Sequence, residues 1–503
     1  MSHARTPVLV GAAQYGDRAS APEAALAPPD LLARVGAAAI ADSGGRDIAI
    51  DALAVVRLFA DTSPLFASPF GSYANLPRSM ARRMGQRPAR LIYGPVGGHS
   101  PQMLVNLLAE EIRRGTIDVA MVAGGESLRT QAQAQRAGLQ LDWSEDAGEA
   151  PETLGEETVL ASRHEIAHGI ALPVNVYPLF ENALGAHYGR APQEHRRRLG
   201  ELMAPFTRVA AANRHAALPV ARGAEELVTP TDGNRYLAYP YTRSLVAHLH
   251  VDQAAAVLLM STAAADRAGV APDRRVFLHG SADLHDRILV SQRVDYCSSP
   301  AIRAGGGQAL AQAGVAAAAL DHIDLYSCFP AAVQIAADMI GLAHDDPRGL
   351  TLTGGLPYFG GPGNNYSTHA IAEMVERCRA RPGSTGLVFA NGGYLTKHSF
   401  GVYSTRPADG WARVEPAVSQ ARIDAIASPA FTEAPSGGGT IETFTVAYER
   451  GRPAFAILIG RLDDGRRFLA QMREGLEALI DAPVIGRRIE VAAGTPVNTA
   501  RLA

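Results

Sequence analysis

The feature that most constrains how this chain folds is a succession of strand, glycine turn and helix that occurs twice, far apart in the sequence. The first copy has a buried strand over 50–59 (IDALAVVRLF), a strand at Arg90–Tyr93 and the turn Gly97-Gly98-His99-Ser100-Pro101. An amphipathic helix then runs through Arg114, and a strand IDVAMVAGG closes at Gly124-Gly125. The second copy opens with an Ala-rich helix over 301–319 and IDLYSCF, which starts at Ile323-Asp324 as the first strand starts at Ile50-Asp51. Gly360-Gly361 then precedes the helix STHAIAEMVERCR, and the strand TGLVFANGG closes at Gly392-Gly393. The three landmarks are offset by 273, 263 and 268 residues. Loops absorb small differences in offset while the order of core elements persists, so the pattern predicts two copies of one β/α unit.

The remaining sequence fits around this repeat. PVLVGAA at 7–13 reads as an opening strand and 29–42 as an Ala/Leu helix, giving a β-α-β start. Residues 127–235 are polar, with helical patches such as QEHRRRLGELMAPFTRVAAANRHAA, and read as a helical insertion. After Thr405 a Pro/Ala-rich stretch leads into GGGTIETFTVAYERGRPAFAILIGRLDDGRRFLAQM, whose short β runs are parted by Arg-Gly and Asp-Asp-Gly turns, and VIGRRIEVAA adds a strand. The expected organisation is an α/β first half over 1–235 carrying the insertion at 127–235, a second half over 236–405, and a small barrel-like β domain over 415–503. A chain of 503 residues accommodates two large units and an appendage.

Several function classes are disfavoured. The net charge of -3 is small for this length and charges of both signs are interspersed, so no field draws the chain onto nucleic acid or an anionic membrane. No stretch reaches membrane-spanning length, and the apolar run near the start is too short for a secretory signal, which together read as cytoplasmic. Cys297, Cys328 and Cys378 are odd in number and widely spaced, giving neither a metal-ligand spacing nor a disulfide framework. No metal and no nicotinamide or flavin fingerprint is indicated.

A glycine pair before a helix turns backbone N–H groups and the positive end of the helix dipole toward whatever occupies the turn, an arrangement suited to an oxyanion or thiolate. Two such turns in a duplicated fold are expected to face one site, built from Gly98, His99 and Ser100 on one side and Gly360 and Gly361 on the other, with Asn391 and Gly392 of the later glycine turn joining them. Ser100-Pro101 also reads as an N-cap serine with proline at the first helical position.

The strings SLVAHLHVDQAAAVLLMS, YSCFPAAV, GGLPYFGGPGNNYSTHAIAEMVER and ANGGYLTKHSFGVYST resemble the thiolase superfamily over roughly residues 5–405. GGPGNNYSTHA and NGGYLTKHS resemble a thiolase-like subgroup with an additional C-terminal β domain. The resemblance implies a duplicated βαβαβαββ fold, usually a homodimer, handling CoA thioesters through an N-terminal-half cysteine nucleophile and a C-terminal-half His and Cys. The chain departs at each point. The nucleophile position falls at Gly98, the Gly-His-Pro motif reads Gly360-Gly361-Pro362, and the Cys-x-Gly motif reads Phe389-Ala390-Asn391-Gly392-Gly393. Where the family has Asn-Glu-Ala-Phe or His-Asp-Cys-Phe, the chain has Tyr326-Ser327-Cys328-Phe329.

Tyr326 still offers an O–H and is the foremost catalytic candidate, its bland alternative being a half-buried tyrosine at a strand end. Tyr394 and His398 lie in NGGYLTKHS just past a strand end, where α/β proteins place site residues, and His398 is the neighbour expected to tune Tyr326. Cys328, beside Tyr326, completes the catalytic candidates; against these readings, a lone polar His is usually a hydrogen-bonding turn residue, and a cysteine such as Cys328 usually a small buried one. Three functions remain open: acyl-CoA carbon–carbon chemistry or acyl transfer without a cysteine nucleophile, a retro-aldolase-like lyase acting on a hydroxyacyl-CoA, and a non-catalytic acyl-CoA-binding scaffold. The CoA thioester is the only small-molecule partner expected, as substrate or ligand.

Overall fold

A computed structural model of the chain describes residues 3–155, 159–408 and 410–503. Its largest element is a ten-stranded sheet made of two similar parts. In the first, the strands lie in the order Arg90–Tyr93, Ala52–Val55, Val119–Ser127, Asp252–Ser261 and Pro7–Asp17. In the second the order is His322–Leu325, Thr385–Gly392, Lys397–Ser404 and Val276–His285. Strand directions match as well. Ala52–Val55 runs parallel to Val119–Ser127, as His322–Leu325 does to Thr385–Gly392, and each set then continues through two antiparallel pairings. The duplication read from the landmarks is therefore the architecture of the protein. The halves join where Val8 and Leu9 pair with Phe277 and Val276.

The central strands are buried along their whole length, as in Val119–Ser127 and Asp252–Ser261, which accounts for their continuous apolar runs. Helices Ser100–Arg114 and Tyr366–Ala380 pack on each other and on strands of both halves. The second is buried at every residue from Tyr366 to Val375, as a helix enclosed on all sides must be. Two elements are shorter than their sequence reading. The strand expected over 50–59 is confined to Ala52–Val55, and the helix expected over 301–319 stops at Ala313, where Gly314 adopts φ +66° and caps it.

The insertion contributes helices Pro173–His187 and Pro192–Ala212. The C-terminal sheet closes on itself: Ser436–Glu449, Arg452–Leu462, Arg467–Met472, Thr499–Leu502 and Arg488–Ala492 form a ring that returns to Ser436–Glu449. Tyr236–Ala238 and Tyr241–Thr242 extend it. This barrel has its own core of Ile441, Phe444, Val446, Leu458, Phe468 and Ile489.

Specific polar contacts dock the barrel. The guanidinium of Arg467, fully buried and held within the barrel by Glu442 at 2.8 Å, donates to the Ser291 carbonyl of the core at 2.9 Å, and Asn182 donates to the Phe444 carbonyl at 2.8 Å. No described helix is long and apolar enough to cross a membrane.

Candidate functional site at the junction of the two halves

The strand Arg90–Tyr93 hands the chain to the turn that starts helix Ser100–Arg114. Gly97 takes φ +128°, a conformation L side chains rarely adopt, and its N–H donates to Asn364 Oδ1 at 3.0 Å. The Ser367 hydroxyl donates to the Gly98 carbonyl at 2.8 Å. Asn365 Nδ2 donates to the Gly124 carbonyl at 2.6 Å. The start of the second-half helix thus grips both the glycine turn and the strand end of the first half. In return Gly392 packs onto the turn: a Cβ there would come 3.1 Å from Gly97 Cα and 3.2 Å from the Gly98 nitrogen.

Gly98 is the tightest point. A Cβ at this position would collide with the Tyr326 hydroxyl oxygen, lying 2.5 Å from Tyr326 Cζ and 2.6 Å from the Asn391 carbonyl oxygen. The tyrosine hydroxyl therefore occupies the space that any side chain at residue 98 requires. Tyr326 follows the strand His322–Leu325, is anchored by its N–H to the Phe389 carbonyl at 3.1 Å, and stands edge-on to Tyr366 with centroids 5.4 Å apart. Burial, reinforced by Cys328, pushes its phenol well above the ordinary tyrosine range, so it stays protonated at neutral pH with an O–H available to donate.

Cys328 is buried, and burial pushes its thiol up to about 12, which leaves roughly one molecule in 100,000 as thiolate at neutral pH. Asn391 lies beside it, with Nδ2 at 4.0 Å from the sulfur and 2.9 Å from the Tyr177 hydroxyl. Tyr177 comes from the insertion, stacks on Phe329 at 4.3 Å, accepts from the Leu395 N–H and donates to the Gly393 carbonyl. His99 is buried, and burial above all, then the charge of Lys397, holds it well below the usual range and neutral. Its Nδ1, Ser100 Oγ and Asn391 Oδ1 are buried without partners among the described residues.

Several expectations need correction. Ser100 is the first helical residue, not the cap: His99 holds the cap position with helical backbone angles and no side-chain capping bond. Gly360 and Gly361 do not face Gly98. Gly360 packs toward Gln253 and Val251, and the Gly361 N–H donates to the His248 carbonyl at 2.8 Å. The helix begins only at Tyr366, so Asn364, Asn365 and Ser367 reach the junction in place of the glycines.

His398 belongs to the strand Lys397–Ser404 and not to a loop. Its Nε2 lies 3.2 Å from Asp286, its ring stacks on Phe389, and burial draws its pKa down despite that carboxylate. Asp286 is further held by the Ser299 hydroxyl and the Ala301 N–H, with Arg293 3.7 Å away. The Tyr394 hydroxyl donates to the Ala171 carbonyl at 2.7 Å. Tyr326, Tyr394 and His398 are therefore engaged separately.

Sequence reading missed Asp286, Tyr177 and Ser367. The first two come from segments without local motif, while Asn364, Asn365 and Ser367 lie inside the distinctive GGPGNNYS string.

A family model described as the thiolase-like protein type 1 additional C-terminal domain matches residues 419–495. The crystal structure of a monomeric SCP2-thiolase-like protein type 1 from Mycobacterium smegmatis is 39% identical, with TM-score 0.85, covering 99% of this chain and 100% of its own. Two solved structures share the fold at low identity. An acetyl-CoA acetyltransferase from Syntrophomonas wolfei is 17% identical with TM-score 0.55, covering 80% of this chain and 99% of its own. An Ltp2–ChsH2(DUF35) aldolase is 16% identical with TM-score 0.58, covering 80% and 98%. Comparison with curated protein sequences gives no match. Full-length identity to the mycobacterial protein, together with the duplicated sheet and the closed C-terminal barrel, places the chain in the SCP2-thiolase-like protein type 1 family.

Proposed function

We propose that this protein binds an acyl-CoA thioester non-covalently at the junction of its two halves and forms no acyl-enzyme. One observation carries the reading: the Tyr326 hydroxyl fills the space a nucleophile at residue 98 would need. Neither the thiol nor the imidazole at the turn replaces that nucleophile. The Cys328 thiol is almost wholly protonated, and the His99 ring is buried with its Nδ1 packed against Gly97 and Gly392. What the junction offers is neutral hydrogen bonding, with the Tyr326 O–H as donor and the turn before a fifteen-residue helix as the positive end of a dipole. That chemistry suits recognition of a thioester carbonyl.

The dimer implied by the resemblance gains no support. The relative at 39% identity is described as monomeric, and one end of the large sheet is finished by a two-residue strand, Glu152–Thr153, too short to template a partner. We infer a monomer, for which light scattering coupled to gel filtration gives the mass directly.

Titration calorimetry with CoA, acetyl-CoA and acetoacetyl-CoA tests the binding. Saturable binding of thioesters is expected, weakened about two- to tenfold in Tyr326→Phe by loss of one hydrogen bond. No heat with any of the three would overturn the reading, and turnover of a hydroxyacyl-CoA that the variant abolishes would replace it with the lyase alternative.

A further inference from the structure

Lysine and arginine together number 47 in this chain, and Lys397 alone is lysine. Every other basic position, on every exposed helix and loop, uses arginine. For a surface cation the two residues are nearly exchangeable. They differ where an amine must lose its proton or act as a nucleophile, because a guanidinium does neither.

The single lysine is placed accordingly. It opens the strand Lys397–Ser404, opposite Gly392 in one ladder and His285 in the other, directly beside the turn at the junction. Its Nζ makes one long contact, 3.5 Å to the Val96 carbonyl. No carboxylate pairs with it among the described residues. Its titratable neighbours are His99 and His285, so among the described residues no anion offsets the cost of half-burying an ammonium, and burial lowers its pKa. An unsatisfied group lies nearby: buried His99 Nδ1, without a partner among the described residues, is directed at Gly97 and Gly392, the residue opposite Lys397.

We propose that Lys397 is a reactive amine that captures the keto carbonyl of a β-ketoacyl ligand as an imine. The amine nitrogen adds to the ketone carbon. Loss of water then removes the carbonyl oxygen with both amine hydrogens and leaves a C=N bond, with no other reactant required. The choice of a β-ketoacyl thioester rests on the proposed thioester binding, whereas the reactivity of the amine does not.

The test uses the intact protein with sodium cyanoborohydride and either acetoacetyl-CoA or free acetoacetate, followed by peptide mass mapping. Free Nα-acetyl-lysine in the same tube serves as reference. The expected result is a reduced adduct on the peptide carrying Lys397, formed faster than on the reference amine and absent in Lys397→Arg. No adduct with either probe overturns the proposal, as does labelling no faster than the reference. Both of these results are obtained on wild-type protein, so they hold even if the variant fails to fold. An adduct with acetoacetate, alongside no thioester binding in calorimetry, keeps the amine and removes the thioester.

Discussion

Gly98→Ala is the sharpest probe of the junction. The added methyl would collide with the Tyr326 hydroxyl and lie 2.5 Å and 2.6 Å from Tyr326 Cζ and the Asn391 carbonyl oxygen, where about 3.4 Å is ordinary contact. The tyrosine must therefore retreat by roughly 1 Å in a close-packed region. It cannot do so freely, since Tyr366 stands edge-on to it, and Asn391 is held in the ladder opposite His398.

Overpacking of this kind costs about 1–3 kcal/mol, and with backbone among the struck atoms the upper part of that range applies. For a unit this large each kcal/mol lowers the thermal midpoint by about 1–2 °C, so a loss of about 3–5 °C is expected in scanning calorimetry. Gly307→Ala is the control. It lies in the interior of helix Pro300–Ala313 with nothing within 4 Å of its Cβ position, and alanine there should stabilise by about 0.5–1 kcal/mol. Equal midpoints for the two variants would refute the interlock of Gly98 with Tyr326.

Other perturbations test the rest of the account. Glu126 is buried and burial raises its carboxyl to about 8, so the folded state holds a proton that the unfolded state releases near 4.5. Its contribution therefore destabilises progressively as pH rises from about 4.5 to 8; Glu126→Gln should flatten that slope in urea denaturation, and an unchanged slope would exclude this assignment. Glu181 accepts from His195 at 2.7 Å, Tyr241 at 2.6 Å and Gln334 at 2.8 Å, all buried, and Glu181→Ala should cost about 3–5 kcal/mol by leaving three groups unpaired. A loss under about 1 kcal/mol would mean the network is not formed. Arg467→Ala removes the buried contacts to Glu442 and to the Ser291 carbonyl; limited proteolysis should then cleave between the core and the barrel faster than in wild type, and unchanged cleavage would show that other contacts suffice for docking.

The fold was legible because it repeats. Strands buried on both faces leave continuous apolar runs, and Ile50-Asp51 against Ile323-Asp324 marks equivalent strands whose neighbours then fall into the same order. Tyr326 and Gly98 were each visible as departures from a family motif, yet no pattern could show that one fills the space of the other, since 228 positions separate them and only packing joins them. His398 was read as a loop residue because Gly392-Gly393 looked like a chain break. The turn is so tight that the next strand has already begun at Lys397. Asp286, its partner, lies 112 residues away in a segment with no signal of its own. Gly360-Gly361 misled for the opposite reason: a glycine pair near a helix looks like its N-terminus, while the helix starts four residues beyond Pro362.

The central claim is that thioesters bind here without acylating the protein, and intact-mass analysis after incubation with acetyl-CoA, paired with calorimetry on the same sample, tests it most directly. The account predicts saturable binding with the protein mass unchanged after acid quench. A stoichiometric acetyl adduct would contradict it, since the protein would then possess the nucleophile that Gly98, Tyr326 and the protonated Cys328 deny it.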